Sequence, residues 1–75
     1  MKHEKQPRFA ICIRNENAED LEVRKVYQVV PDESAATAGY LRIIDESGED
    51  YLYPKDYFIL LELSEEIERT LLAAA

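Results

Sequence analysis

Apolar and polar positions alternate with a period of two along most of this chain, the spacing of strands rather than helices. In R-F-A-I-C-I-R (residues 8–14), Phe9, Ile11 and Ile13 fall on one side and Ala10, Cys12 and Arg14 on the other. A strand is predicted there, with its large side chains inward. Residues 15–20, N-E-N-A-E-D, hold nothing apolar larger than Ala18 and read as a loop. In the next run, Leu21 and Val23 alternate with Glu22 and Arg24, and Tyr27 and Val29 with Val26, Gln28 and Val30. Unbroken alternation would bury Lys25. A kink at Arg24-Lys25 is therefore expected to turn it outward and divide the run into two short strands. Pro31 ends the second, because it has no N–H for a ladder. Residues 32–39, D-E-S-A-A-T-A-G, form a small-residue connection with room for one helical turn and not for a full helix.

Y-L-R-I-I-D and D-Y-L-Y-P flank E-S-G-E, and Gly48 can take the left-handed conformation that closes such loops, so a hairpin is predicted. Lys55-Asp56-Tyr57 follow Pro54 as one tight turn, and F-I-L-L-E-L is the last strand. Ser64 then caps a helix whose first turns carry Glu65, Glu66 and Glu68, where the helix dipole favours carboxylates. Ile67 and Leu71, four apart, share a face of it. The fold class predicted is mainly β, a five-stranded antiparallel small barrel with a short C-terminal helix. Its boundaries are a flexible tail over residues 1–7, the strand domain over 8–63 and the helix over 64–73.

Seventy-five residues make one small domain with a marginal core. Cys12 is the only cysteine, so no disulfide supports it, and a buried thiol is expected. No apolar run approaches the roughly 20 residues of a membrane span, and M-K-H-E-K-Q-P-R lacks the apolar core of a signal peptide, so a cytoplasmic monomer is expected. The formal charge of −7 is uneven. Residues 1–14 set Lys2, Lys5, Arg8 and Arg14 against Glu4, a net +3; residues 15–75 carry five basic and fifteen acidic side chains, a net −10. An acidic body repels nucleic acid and anionic membranes and attracts basic partners.

Most catalytic chemistries lack their parts. A nucleophilic Cys12 would need a base, and the only histidine is His3 in the tail. One Cys and one His do not make a zinc site, and Asp45, Glu46, Glu49 and Asp50 lack the alternating spacing of a calcium loop. The only glycines, Gly39 and Gly48, form no phosphate-binding loop. No enzyme, cofactor or metal is predicted. The tyrosines remain, four of five falling between Tyr40 and Tyr57. Tyr51 and Tyr53 lie on one face of their strand and are expected to be buried together or exposed together.

The stretch G-E-D-Y-L-Y-P-K-D-Y-F (48–58) resembles the Gly-x-x-Gly-Tyr-Ile-Pro-Ser-Asn-Tyr-Val signature of Src homology 3-like barrels. Gly48 matches the first glycine, Tyr53 the residue before proline, Pro54 the proline, Tyr57 the tyrosine and Phe58 the valine. Leu21-Glu22-Val23, Arg24-Lys25 and Val26–Val30 resemble the family's Leu-x-Phe, diverging turn and strand. The chain is also similar to short bacterial proteins with the same G-E-D-Y-L-Y-P core, to which no activity attaches. The resemblance covers residues 8–63. It implies a ligand face built on Pro54 and Tyr57, beside Glu16, Glu19 and Asp20 of the first loop, with Tyr40 the nearest substitute for the family's ligand-facing tryptophan. The family's Ala-Leu-Tyr-Asp-Tyr segment and its tryptophan are absent and the first loop is short, so the implied groove is shallow.

The function expected is a non-enzymatic interaction module that weakly binds a basic, extended or proline-containing protein segment. The alternatives are a nucleic-acid-associated small barrel, against which the acidic body argues, and an accessory or regulatory subunit without a ligand groove. No nucleic-acid or membrane partner is expected.

Overall fold

The computed structural model describes residues 7–74. The tail expected over residues 1–7 lies outside them except for Pro7. Five strands, β1 (Phe9–Cys12), β2 (Val26–Val30), β3 (Tyr40–Ile44), β4 (Asp50–Pro54) and β5 (Phe58–Leu61), form one antiparallel sheet in the order β4-β3-β2-β1-β5. β4 and β5 stand at its two ends and no ladder joins them. The five antiparallel strands and the short C-terminal helix of the expected small barrel are present, and the sheet is not closed. Helix α1 (Glu33–Thr37) links β2 to β3, a 3-10 turn (Lys55–Tyr57) links β4 to β5, and α2 (Glu65–Ala73) follows.

The two glycine-dependent turns form as their composition requires. Gly48 sits at φ +87°, and its N–H closes the β3–β4 turn on the Asp45 carbonyl at 2.9 Å. A Cβ there would meet nothing within 4 Å, so the backbone angle alone penalises a side chain. Gly48→Val is expected to lower stability by about 1–2 kcal/mol, read as a shift of the urea midpoint at constant slope. An unchanged midpoint would show that the turn does not need the left-handed conformation. At the other end of β3, Gly39 has φ +90° and its carbonyl accepts the Lys55 N–H at 3.0 Å, placing the 3-10 turn beside the β3 entry.

Only one of the two strands expected over residues 21–30 exists. Leu21 is buried in the core, but residues 21–25 form a turn in which the Lys25 N–H reaches the Glu22 carbonyl and Arg24 takes φ +74°. This turn lets the Arg24 N–H bond the Cys12 carbonyl at 2.7 Å and the Cys12 N–H bond the Lys25 carbonyl at 2.9 Å. Those tertiary bonds offset the roughly 1 kcal/mol that a left-handed non-glycine residue costs. Lys25 does point outward.

β1 is turned the other way from the expectation. Ala10 and Cys12 are wholly inaccessible and belong to the main cluster with Leu21, Tyr27, Val29, Leu41, Ile43 and Phe58, whereas Ile13 is exposed. Phe9, buried as well, lies on the opposite face of its strand. Registration explains the inversion. Ala10 lies opposite Tyr27 and Cys12 opposite Phe58, and those two rings meet edge to face with centroids 6.4 Å apart. Small side chains on β1 leave room for large ones on its two neighbours, β2 and β5. Burial also raises the pKa of the Cys12 thiol, against a smaller lowering by its bond to the Arg14 carbonyl, which keeps it protonated and unreactive at neutral pH.

The helices follow their caps. Asp32 accepts from the Ala35 N–H at 3.0 Å, and Ser64 Oγ from the Ile67 N–H at 3.2 Å. No helix among the described residues is long and apolar enough to cross a membrane.

Candidate functional site

The loop over residues 15–20 is the element that composes the candidate site, and two of its anchors are groups from the second half of the chain. At one end the Tyr57 hydroxyl donates to the Glu16 carbonyl at 2.8 Å. At the other the Glu46 N–H donates to the Asp20 carbonyl at 3.0 Å. The Asn15 amide closes the loop on the Leu21 carbonyl at 3.1 Å, and Asn17 takes φ 60°, a conformation asparagine tolerates. So anchored, the loop runs beside β4.

Between loop and strand lies an open groove of about 450 Å³. Asn17, Ala18, Glu19 and Asp20 form one wall, and Tyr51, Leu52 and Tyr53 the other, with Asp45 between them. No lysine or arginine lines it. The Glu19 and Asp20 carboxylates have no ion-pair partner among the described residues. They carry the unbalanced negative charge of the groove.

Two tyrosine–carboxylate pairs tie the β3–β4 turn to the core. Asp45 is 5% exposed. It accepts from the Tyr53 hydroxyl at 2.5 Å and from the Ser47 N–H and hydroxyl at 3.0 and 2.6 Å. Burial pushes its pKa up, but the Ser47 and Tyr53 bonds outweigh that and hold it below the usual carboxylate range. Burial and the Asp45 bond both raise the Tyr53 pKa. The next residue, Glu46, accepts from Lys25 Nζ at 2.5 Å and from the Tyr27 hydroxyl at 2.7 Å, and these two donors lower its pKa. The Tyr27 oxygen in turn accepts the Glu22 N–H at 2.8 Å, so one tyrosine joins the core, the 21–25 turn and the hairpin. Burial first, then Glu46, raises its own pKa. Neither pair shows in the sequence, since Tyr27 and Glu46 lie 19 residues apart.

The residues expected on the ligand face fall in three places. Tyr57 and Glu16 are joined by a hydrogen bond. The chain's own Arg14 sits over the Tyr57 ring at 5.9 Å, paired with Glu16 at 3.3 Å and Asp56 at 3.6 Å. A cation thus already occupies the aromatic–carboxylate seat expected for a ligand. Tyr40 and Pro54 are neighbours across the β3–β4 ladder, at the end of the hairpin away from its turn. Glu19 and Asp20 line the groove with Tyr51 and Tyr53, not with Tyr40 or Pro54. The expectation that Tyr51 and Tyr53 share one degree of burial fails. Tyr51 is 49% exposed, its hydroxyl donating to Glu49, while Tyr53 is half-buried against the core, its ring centroid 6.2 Å from that of Phe58. β4 is an end strand, and the core covers one of its tyrosines and stops before the other.

Comparison with known proteins returns no matching family, no matching curated protein and no matching solved structure.

Proposed function

We propose that the chain is a Src homology 3-like, non-enzymatic interaction module that binds a basic, extended protein segment weakly along the groove between residues 17–20 and β4. The observation that carries this reading is the make-up of that groove, which Glu19 and Asp20 line together with Tyr51 and Tyr53, with no cation among the lining residues. A lysine or arginine side chain laid there gains both charge pairing and contact with an aromatic face. What supports the family reading is the strand order β4-β3-β2-β1-β5 and the passage from Pro54 through a 3-10 turn into β5. The groove is open, so affinity on the order of micromolar or weaker is expected.

Titration with a short peptide of alternating Lys and Pro is expected to move the backbone amide signals of residues 17–20 and 51–53. Asp20→Lys is expected to weaken that binding several-fold, since it replaces attraction by repulsion. Shifts confined to residues 40 and 54–57 would move the site to the Tyr57 face, and no shift at millimolar peptide would remove the reading. An oligonucleotide that binds, with strength falling steeply as salt rises, would replace it by the nucleic-acid alternative.

A further inference from the structure

The inner face of the sheet is filled at one end and unfilled at the other. The Tyr27, Tyr53 and Phe58 rings pack the end beneath the 21–25 turn. Towards α1 the inner face is aliphatic, and α1 presents Ala35 and Ala36 to that region, side chains too short to fill it. The sign of the deficit is Leu60. It lies in register with Ala10, which is 0% exposed, yet remains 39% exposed itself. An indentation of about 200 Å³ opens there, floored by Val29, Leu41 and Leu60 and rimmed by Pro31 and Ala36.

The polar groups at its mouth are Asp32, Glu33, Arg42 and Lys55. Arg42 is already satisfied by Asp32 at 2.8 Å and Asp50 at 3.2 Å, which raise its pKa, while the Ala35 N–H first and Arg42 second lower that of Asp32. Lys55 makes no ion pair among the described residues, and neither does Glu33. The 3-10 turn fixes the Lys55 backbone at the mouth through its bond to the Gly39 carbonyl.

We propose that this indentation is a second binding site, separate from the groove, for a small aliphatic carboxylate whose chain enters the apolar floor and whose charge pairs with Lys55. At roughly 30 Å³ for each water-sized group, the space admits about six or seven such groups, the body of a medium-chain carboxylate. The net charge of −7 opposes an anion, but beyond about 8 Å physiological salt screens it, leaving the adjacent ammonium the dominant charge favouring the ligand and Glu33 the one opposing it. Affinity is weak, with a dissociation constant on the order of 0.1–1 mM for a ligand this small.

The test is titration of the full chain with octanoate, followed by backbone amide NMR. Shifts are expected at Val29, Val30, Ala36, Leu41 and Leu60, with smaller shifts for butanoate, which fills less of the floor. Lys55→Gln is expected to weaken octanoate binding about two- to fivefold and Glu33→Gln to tighten it by a similar factor. Ala36→Leu, which fills the space from an exposed helix position, is expected to abolish it while leaving the thermal midpoint in place. Absence of shifts at millimolar octanoate, equal binding of octylamine, or undiminished binding by folded Ala36→Leu would each overturn the proposal. The groove is untouched by these variants, so basic-peptide binding reports on the other site independently.

Discussion

Phe58→Ala is expected to remove about 3–5 kcal/mol of stability, the range for deleting a buried aromatic ring. At 0.05–0.15 kcal/mol per residue, a 75-residue domain has roughly 4–11 kcal/mol in total, so this one change consumes much of it. Phe58 is 6% exposed, lies opposite Cys12, and packs edge to face against both Tyr27 and Tyr53. Its loss opens a cavity at the filled end of the core and removes two aromatic contacts. The neighbouring Ile59, 53% exposed, provides the control, and Ile59→Ala is expected to cost under about 1 kcal/mol. Urea denaturation followed by circular dichroism measures both. Equal midpoints for the two variants would show that β5 does not turn Phe58 into the core.

Asp45→Ala carries the second large effect, about 2–4 kcal/mol, because it leaves the Tyr53 hydroxyl and two Ser47 donors without their acceptor in a part-buried place. Asp45→Asn retains a carbonyl oxygen for Ser47 and is expected to cost less than half as much. The charge adds a pH dependence. Asp45 and Glu46 both have folded-state pKa values below their ordinary ones, so the unfolded chain takes up protons first as pH falls. Their stabilisation is present above the ordinary carboxylate range, about pH 4, and is lost as the pH drops through the folded values. Thermal midpoints between pH 7 and pH 3 are expected to fall steeply at the acid end in the parent and less steeply in Asp45→Asn. Parallel curves would show that Asp45 is not ionised in the folded state.

Both expectations lean on contacts that join distant parts of the chain, and there the sequence alone says least. What local chemistry controls was legible. Gly48 has no Cβ to resist positive φ, Pro31 and Pro54 end strands for want of an N–H or at a turn, and Ser64 starts a helix through its own hydroxyl. The period of two located strands because side chains of a pleated strand alternate whatever they pack against. Alternation cannot say which side is the interior, and β1 shows it: the larger side chains of Ile11 and Ile13 lose the main core to Ala10 and Cys12. The choice rests with Tyr27 and Phe58 on the flanking strands, whose rings need that space. The break at Arg24-Lys25 was legible from the position of Lys25, but the left-handed conformation of Arg24 was not, since its strain is offset by bonds to Cys12.

The site divides in the same way. The acidic loop and the tyrosine-rich strand could be read as charge and aromatic surface. Their pairing could not, because only folding brings Asp20 to the hairpin turn, places Arg14 over Tyr57 and buries Tyr53 while leaving Tyr51 in water. Outside residues 21–25, the sequence by itself determined where the chain turns and where strands and helices begin, and it determined the sign of the charge, since each depends on residues within a few positions of one another. The tertiary structure decided which face is core, that the sheet is not closed, and that Glu19 and Asp20 have no ion-pair partner among the described residues. Those outcomes depend on the register between strands and on which large side chains compete for one interior, and neither is encoded in any single segment.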